Sequence, residues 1–458
     1  MLFNSYTFIF QFLPIVLLVY FVFIKFRYFY MAKLWLALAS LFFYGWWNLK
    51  YIPLILMSIL FNYLVGKKLT TAASRKSALL FFGISANVLL LGYYKYTDFF
   101  IQNWNEATSG NLPLLHLLLP LGISFFTFTQ IAYLVDAYRG RVQEYSMINY
   151  ILFVTFFPHL IAGPILHHKD MMPQFESVRN KLWNWSNVWS GLLIFCIGLG
   201  KKMLIADNLA VYANQGFSSA SQFVDSWVTS LSYTFQIYYD FSGYTDMAIG
   251  IALLFNINLP QNFNSPYRAT GIQDFWRRWH ITLSQFLRDY IYIPLGGSRS
   301  GYWIAIRNVL ITFLIGGIWH GASWMFILWG LLHGSGQAVE RIWKRWGVPL
   351  PTWLSWVITF IFLNVTWVFF RAENMKQAER LLKGMFGING TGLSQVSEFK
   401  LMLPALAALT LIMLISPNLS ESFSKLRPTW KTSLVMAVVF MISLLFFNRI
   451  TEFLYFNF

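Results

Sequence analysis

Residues 304–334, IAIRNVLITFLIGGIWHGASWMFILWGLLHG, decide what kind of molecule this chain is. The stretch holds one formal charge, Arg307, and two histidines among isoleucines, tryptophans and glycines. A run of this polarity belongs in hydrocarbon. At roughly 1.5 Å per residue, the wider run 302–337 is too long for one simple crossing. Gly316, Gly317 and Gly321 offer a break in it. His320 is the anomaly. A neutral imidazole needs hydrogen-bond partners, and an imidazolium in hydrocarbon is costly. Either structural satisfaction or chemistry must compensate.

The rest of the chain agrees with a membrane reading. Of 458 residues, 57% are hydrophobic and 11% charged. Soluble domains carry about 25% charged residues. Apolar runs recur at about 6–24, 31–48, 51–66, 78–94, 117–137, 145–166, 187–200, 226–258, 302–337, 353–370, 400–416 and 430–448. The expectation is an all-α polytopic integral membrane protein. It has about eleven transmembrane helices plus re-entrant or interfacial pieces, in one domain over 1–458. The run 226–258 is long enough to bend or split. Pro158, Gly163 and Pro164 make 145–166 a poor straight span, so it is either a kinked helix or irregular backbone buried in protein. The first run lacks a basic leader and a small-residue cleavage site, and reads as a retained span.

The formal net charge is +16. Its lysines and arginines cluster between apolar runs, which points to membrane topology and anionic lipid rather than nucleic acid. Lys25, Arg27 and Lys33 follow the first run, and Lys67, Lys68, Arg75 and Lys76 follow the third. That alternation puts these loops in the cytoplasm and the N-terminus outside. The single cysteine, Cys196, excludes an internal disulfide and reads as inert packing. His167 and His168 are adjacent, so they lack the spacing of helical metal ligands, and no metal site is expected. No nucleophile elbow, P-loop or dinucleotide fingerprint is present.

Three constellations carry possible chemistry. Asp240 and Asp246 fall in or beside a span. They read either as an ion or proton path or as paired carboxylates tying helices together. On a helix over 274–297, Phe275, Trp276, Trp279, Leu283, Phe286, Leu287 and Tyr290 share one side. Arg277, Arg278, Ser284, Gln285, Arg288 and Asp289 share the other, with His280 at the boundary. Such a helix is interfacial, or it offers a basic face to a phosphate-bearing ligand. The third is His320, with Gly317, Gly321 and Ala322 allowing close approach and Trp319 and Trp324 as shields. His333 reads as structural.

Five blocks resemble the membrane-bound O-acyltransferase family. They are FPHLIAGPILHHKDMMPQF (157–175), DFSGYTDMAIGIALLFNINLPQNFNSPYRA (240–269), FWRRWHITLSQFLRDYIYIPLGG (275–297), LIGGIWHGASWMFILWGLLHG (314–334) and WVFFRAEN (367–374). The motif-rich core is about 157–372, and the resemblance is nearest to the bacterial branch that O-acetylates polysaccharides such as alginate, cellulose and peptidoglycan. It implies a ring of tilted helices around a funnelled centre. It implies that His320 is the essential histidine, facing a wet tunnel, and that His280 is the second polar position. A thioester donor, acetyl-CoA, would come from the cytoplasm, with no bound cofactor. Trp276, Arg277, Arg278 and Arg288 would hold the donor. The acceptor would be an extracytoplasmic polysaccharide, reached through a partner acetyltransferase of serine-esterase-like (SGNH) fold, and the location would be the bacterial inner membrane. Two other classes remain at this stage: an ion-coupled transporter or channel, and a non-catalytic subunit of a polysaccharide exporter.

Overall fold

The computed structural model describes residues 1–71, 74–142, 146–391, 398–415, 428–447 and 454. Its regular structure is helical, with no strand among the described residues. The helices are α1 (Leu13–Lys25), α2 (Phe29–Gly45), α3 (Ile52–Thr71), α4 (Lys76–Thr108), α5 (Ile123–Tyr138), α6 (Met147–Thr155), α7 (Phe157–Leu160), α8 (His168–Glu176), α9 (Trp185–Gly200) and α10 (Asp207–Ser219). They continue with α11 (Phe223–Leu254), α12 (Ile272–Arg278), α13 (Ile281–Leu287), α14 (Tyr302–His320), α15 (Trp324–Trp346), α16 (Thr352–Arg371), α17 (Met375–Met385), α18 (Glu398–Ile415) and α19 (Trp430–Leu445). Among the described residues, six helical stretches are long and apolar enough to cross a membrane: Thr7–Lys25, Leu49–Thr71, Lys76–Thr108, Trp185–Ser219, Tyr302–His320 and Thr352–Arg371. Phe29–Gly45, Met402–Ile415 and Trp430–Leu445 are shorter apolar helices.

The chain divides into two compact units. The first comprises Met1–Cys196 and Tyr244–Pro260. Within it α4 shows how membrane solvent shapes a helix. Phe81, Phe82, Leu89 and Phe100 are exposed apolar side chains, as lipid contact requires, while Gly83, Asn87 and Leu91 are buried at helical spacing. Asn87 and Asn62 of α3 exchange amide hydrogen bonds of 2.7 and 3.1 Å. Asn62 also donates to the Ser58 carbonyl, and Gln130 of α5 donates to the Ser58 hydroxyl at 2.9 Å. In an apolar environment such polar pairs hold helices together.

The run 145–166 is not one kinked helix. Helix α6 ends at Thr155, the four residues of α7 follow with Pro158 in their first turn, and residues 161–167 are irregular. Nearly all of 148–166 is buried, which is the condition under which irregular backbone survives at membrane depth.

The second unit comprises Ile197–Gly243 and Gln261–Phe458. Two sequence expectations change here. The run 226–258 does not split: α11 is one continuous helix of 32 residues. The span expected to end near 200 continues through a π-helical turn, Lys201–Ala206, into α10. Lys202 looked like a boundary, yet it is 3% exposed. Its Nζ lies 2.7 Å from both Asp207 Oδ1 and Asp240 Oδ1, and this pairing admits a buried cation to the span.

The break in 302–337 falls at Gly321, whose backbone is extended. Gly316 and Gly317 lie inside α14. A Cβ on Gly317 would meet the Phe326 carbonyl at 2.4 Å, and one on Gly330 would meet the Phe313 carbonyl at 2.4 Å. The hairpin of α14 and α15 is thus closed by backbone on backbone.

Candidate active site

The 274–297 segment is not a single amphipathic helix. Helix α12 ends at Arg278, and His280 takes the left-handed conformation (φ 41°, ψ 56°) before α13 begins. Left-handed backbone is uncommon for a residue with a side chain. Asn262 holds it in place. Its carbonyl accepts from Ile281 N at 3.0 Å, and its side-chain Oδ1 accepts from Thr282 N, from Thr282 Oγ1 and from His280 Nδ1 at 3.1 Å. Because Thr282 N–H can only donate, the Asn262 atom is oxygen, so His280 Nδ1 carries the proton. His280 Nε2 is left as a lone pair with no hydrogen-bond partner among the described residues. The expected apolar side of the segment is largely correct. Phe275, Trp276, Trp279, Leu283, Phe286 and Leu287 are all buried. His280, expected at a boundary, is fully buried with its ring edge-on to Phe241 at 4.8 Å.

His320 is the last residue of α14 and is 3% exposed. Trp319 is 5.0 Å away, Trp329 4.9 Å and Phe370 5.1 Å, all edge-on. Trp324, expected as a shield, is 61% exposed, because Ser323 starts α15 there and turns it outward. Trp329 takes its place. Gly321 and Gly317 do not open space beside the histidine, since Phe326 and Gly330 fill it.

A continuous aromatic wall links the two histidines. Trp329 stacks on Trp367 at 6.2 Å, and Trp367 lies 5.0 Å from Trp279, the neighbour of His280. His333 is buried in the same wall, 4.7 Å from Trp329. It accepts the Trp276 indole N–H on Nδ1 at 3.1 Å. Trp276 therefore reaches His333 on one side and Trp329, at 5.8 Å, on another.

Trp276 also lines a cavity of about 430 Å³ whose other walls include Arg277, Ser284, Arg288, Gln337 and Arg341. Three of the four residues expected to hold the donor line it, together with Arg341, which sequence reasoning missed. The fourth, Arg278, does not line it and donates to Asp274 at 2.9 Å. Arg288 is bound by Asp289 through two bonds of 2.6 and 3.0 Å. Arg277 is exposed and has no ion-pair partner among the described residues. Arg341 donates to the Tyr292 hydroxyl at 3.3 Å, and its guanidinium sits 5.8 Å over that ring. Arg277 and Arg341, guanidinium groups on one concave surface without a carboxylate partner among the described residues, suit a phosphorylated ligand. His320 does not line this cavity.

Asp240 and Asp246 do not form one site. They lie six positions and about 120° apart around α11, and they belong to different units. Asp240 is held by Lys202 and by the backbone N–H of Leu454 at 2.9 Å. This is the helix-tying alternative, with lysine as the partner. Asp246 is buried in the first unit.

The sequence model of the membrane-bound O-acyltransferase family matches residues 47–375, a span that contains both histidines, the aromatic wall and the basic cavity. The chain is 52% identical over 434 residues to a peptidoglycan O-acetyltransferase of Helicobacter pylori, covering 87% of this chain and 82% of the relative. It is 41% identical over 411 residues to a probable alginate O-acetylase of Pseudomonas aeruginosa, covering 88% and 78%. A teichoic acid D-alanyltransferase of Bacillus subtilis is 29% identical over 265 residues, 53% of this chain and 66% of that protein. These matches bear out the resemblance read from the motifs: the chain belongs to the membrane-bound O-acyltransferase family, in the branch of bacterial polysaccharide O-acetyltransferases.

Proposed function

We propose that this protein takes an acetyl group from acetyl-CoA in the cytoplasm and carries it through the bacterial inner membrane for O-acetylation of an extracytoplasmic polysaccharide. In this reading both packing units belong to one integral domain of about eleven crossings around a central tunnel, with the N-terminus outside. One observation carries the proposal. Trp276 lines the basic cavity and also packs against Trp329, the ring that walls His320. A donor anchored by its phosphates at Arg277 and Arg341 would thus approach the buried histidine through a single aromatic layer.

The chemistry follows. His320 accepts the proton of the attacking hydroxyl, the hydroxyl oxygen bonds to the thioester carbonyl carbon, and the carbonyl π pair moves onto oxygen. Collapse breaks the carbon–sulfur bond, and the thiolate leaves with the proton held by His320. A positioned histidine contributes about 10²–10⁴-fold as general base. The Nε2 lone pair of His280 orients the hydroxyl. The alternative in which His320 itself attacks the thioester gives an acyl-imidazole and the same products.

These 458 residues are mostly apolar runs joined by short loops, and gripping a glycan strand is here assigned to a partner. The acetyl group therefore passes to an extracytoplasmic SGNH-type transferase and then to the polymer. Purified protein in proteoliposomes with acetyl-CoA tests this. Alone, it should release free thiol slowly. With the partner, acetyl should appear on the partner's nucleophile and then on glycan. Failure to cleave acetyl-CoA under either condition overturns the donor assignment, and efficient acetylation of long polymer by this chain alone overturns the relay.

A further inference from the structure

Two side chains of the aromatic wall have no role in this scheme. Trp329 and Trp367 are each 1% exposed. Their indole nitrogens have no hydrogen-bond partner among the described residues. An indole N–H can only donate, and a buried one ordinarily finds an acceptor. The two rings are stacked 22° from parallel, between His320 and the Trp279–His280 step. Trp329 touches His320 directly and Trp367 reaches it through Trp329 and Phe370, so two buried donors held by packing beside a histidine that takes a proton lack only an anion.

We propose that the indole N–H groups of Trp329 and Trp367 donate to the acyl oxygen and stabilise the oxyanion of the tetrahedral intermediate. The inference rests on His320 being the acyl-transfer histidine. When the hydroxyl oxygen bonds to the carbonyl carbon, the displaced π pair places a full negative charge on the former carbonyl oxygen. The two indoles donate to it, and both bonds relax when the pair returns and the carbon–sulfur bond breaks. No further reactant is needed. Tryptophan suits the task because its donor sits on a large plane that packing immobilises, so no reorganisation is required as charge develops. The proposal also gives the motif WVFFRAEN, which begins at Trp367, a chemical task.

The test replaces each tryptophan, in the full-length protein, with 3-benzothienylalanine, which exchanges N–H for sulfur in nearly the same shape. Steady-state release of coenzyme A is measured in proteoliposomes. Each replacement should lower kcat about 10²–10³-fold while KM for acetyl-CoA stays within about threefold. The same exchange at Trp356, whose indole donates to the Tyr267 carbonyl at 2.9 Å, should leave kcat within about threefold. Trp329→Phe and Trp367→Phe provide second variants, and melting in detergent reports whether they fold. The inference fails if both benzothienylalanine proteins keep kcat within tenfold of the parent. It also fails if only the phenylalanine variants lose activity, because that pattern marks packing. Absence of acetyl-CoA cleavage by the parent itself would remove the donor reading instead.

Discussion

Two buried polar clusters, one in each unit, are built on opposite rules. In the first unit, Asn62, Asn87, Ser58 and Gln130 satisfy one another, with the two asparagines exchanging both amide bonds. The cluster is closed and asks nothing of a ligand. In the second unit, the residues around the aromatic wall are left with unspent groups: His280 Nε2, Asn262 Nδ2, His333 Nε2 and the indole N–H groups of Trp329 and Trp367. The two environments are equally buried, so burial does not mark the site. The difference is whether the hydrogen-bond inventory balances.

The unspent groups of the second unit carry the largest expected effects. His320→Ala should lower acyl transfer at least 10²–10⁴-fold with normal membrane insertion. Normal polymer acetylation at normal expression would remove His320 from the chemistry. His280→Ala should cost less, on the order of 10²-fold in kcat, if it orients the hydroxyl. Asn262→Ala should act through it, so the double variant should lose no more kcat than His280→Ala alone. Additive losses would show that Asn262 merely supports the fold.

The basic cavity is expected to show a smaller and different effect. Arg277→Gln and Arg341→Gln should raise KM for acetyl-CoA about tenfold each, consistent with about 1.4 kcal/mol per guanidinium–phosphate contact, and leave kcat unchanged. A dephosphorylated donor analogue should respond less, and equal sensitivity of the two donors would place the phosphates elsewhere. The closed cluster should show the smallest effect on activity. Asn62→Leu alone should destabilise by about 1–3 kcal/mol by orphaning Asn87, whereas Asn62→Leu with Asn87→Leu should recover most of the melting temperature. Loss of kcat in the stable double variant would mean that the first cluster is not purely structural.

How much of this was legible in the sequence varies with the range of the interaction. The break at Gly321 was readable because glycine acts locally on backbone freedom. The basic composition of the cavity was readable because Arg277 and Arg288 stand together on the basic side of the segment 274–297. Arg341 was hidden, since it arrives on α15 from more than fifty residues away. The division of 274–297 was equally hidden. Nothing at His280 itself announces a left-handed turn, and its cause is Asn262, eighteen residues upstream. The span through Lys202 was misjudged for the same reason, because a lysine reads as an end of hydrophobic run until its partner at Asp240 is known. Trp329 and Trp367 were noticed only as parts of conspicuous motifs. Aromatic residues are common in apolar runs, and only a hydrogen-bond inventory separates these two from the other tryptophans among the described residues.

The glycine-on-glycine closure of α14 and α15 has a mechanical consequence. Side-chain packing can be reshuffled by rotamer changes, but Gly317 and Gly330 leave no side chain to yield, so the two helices answer external stress as one stiff lever. His320 ends one arm of that lever, and Trp329 and His333 ride on the other. A bilayer thicker or thinner than the hairpin can tilt it but cannot part the arms. The spacing between His320 and the Trp329 wall is thereby insulated from the thickness of the surrounding lipid.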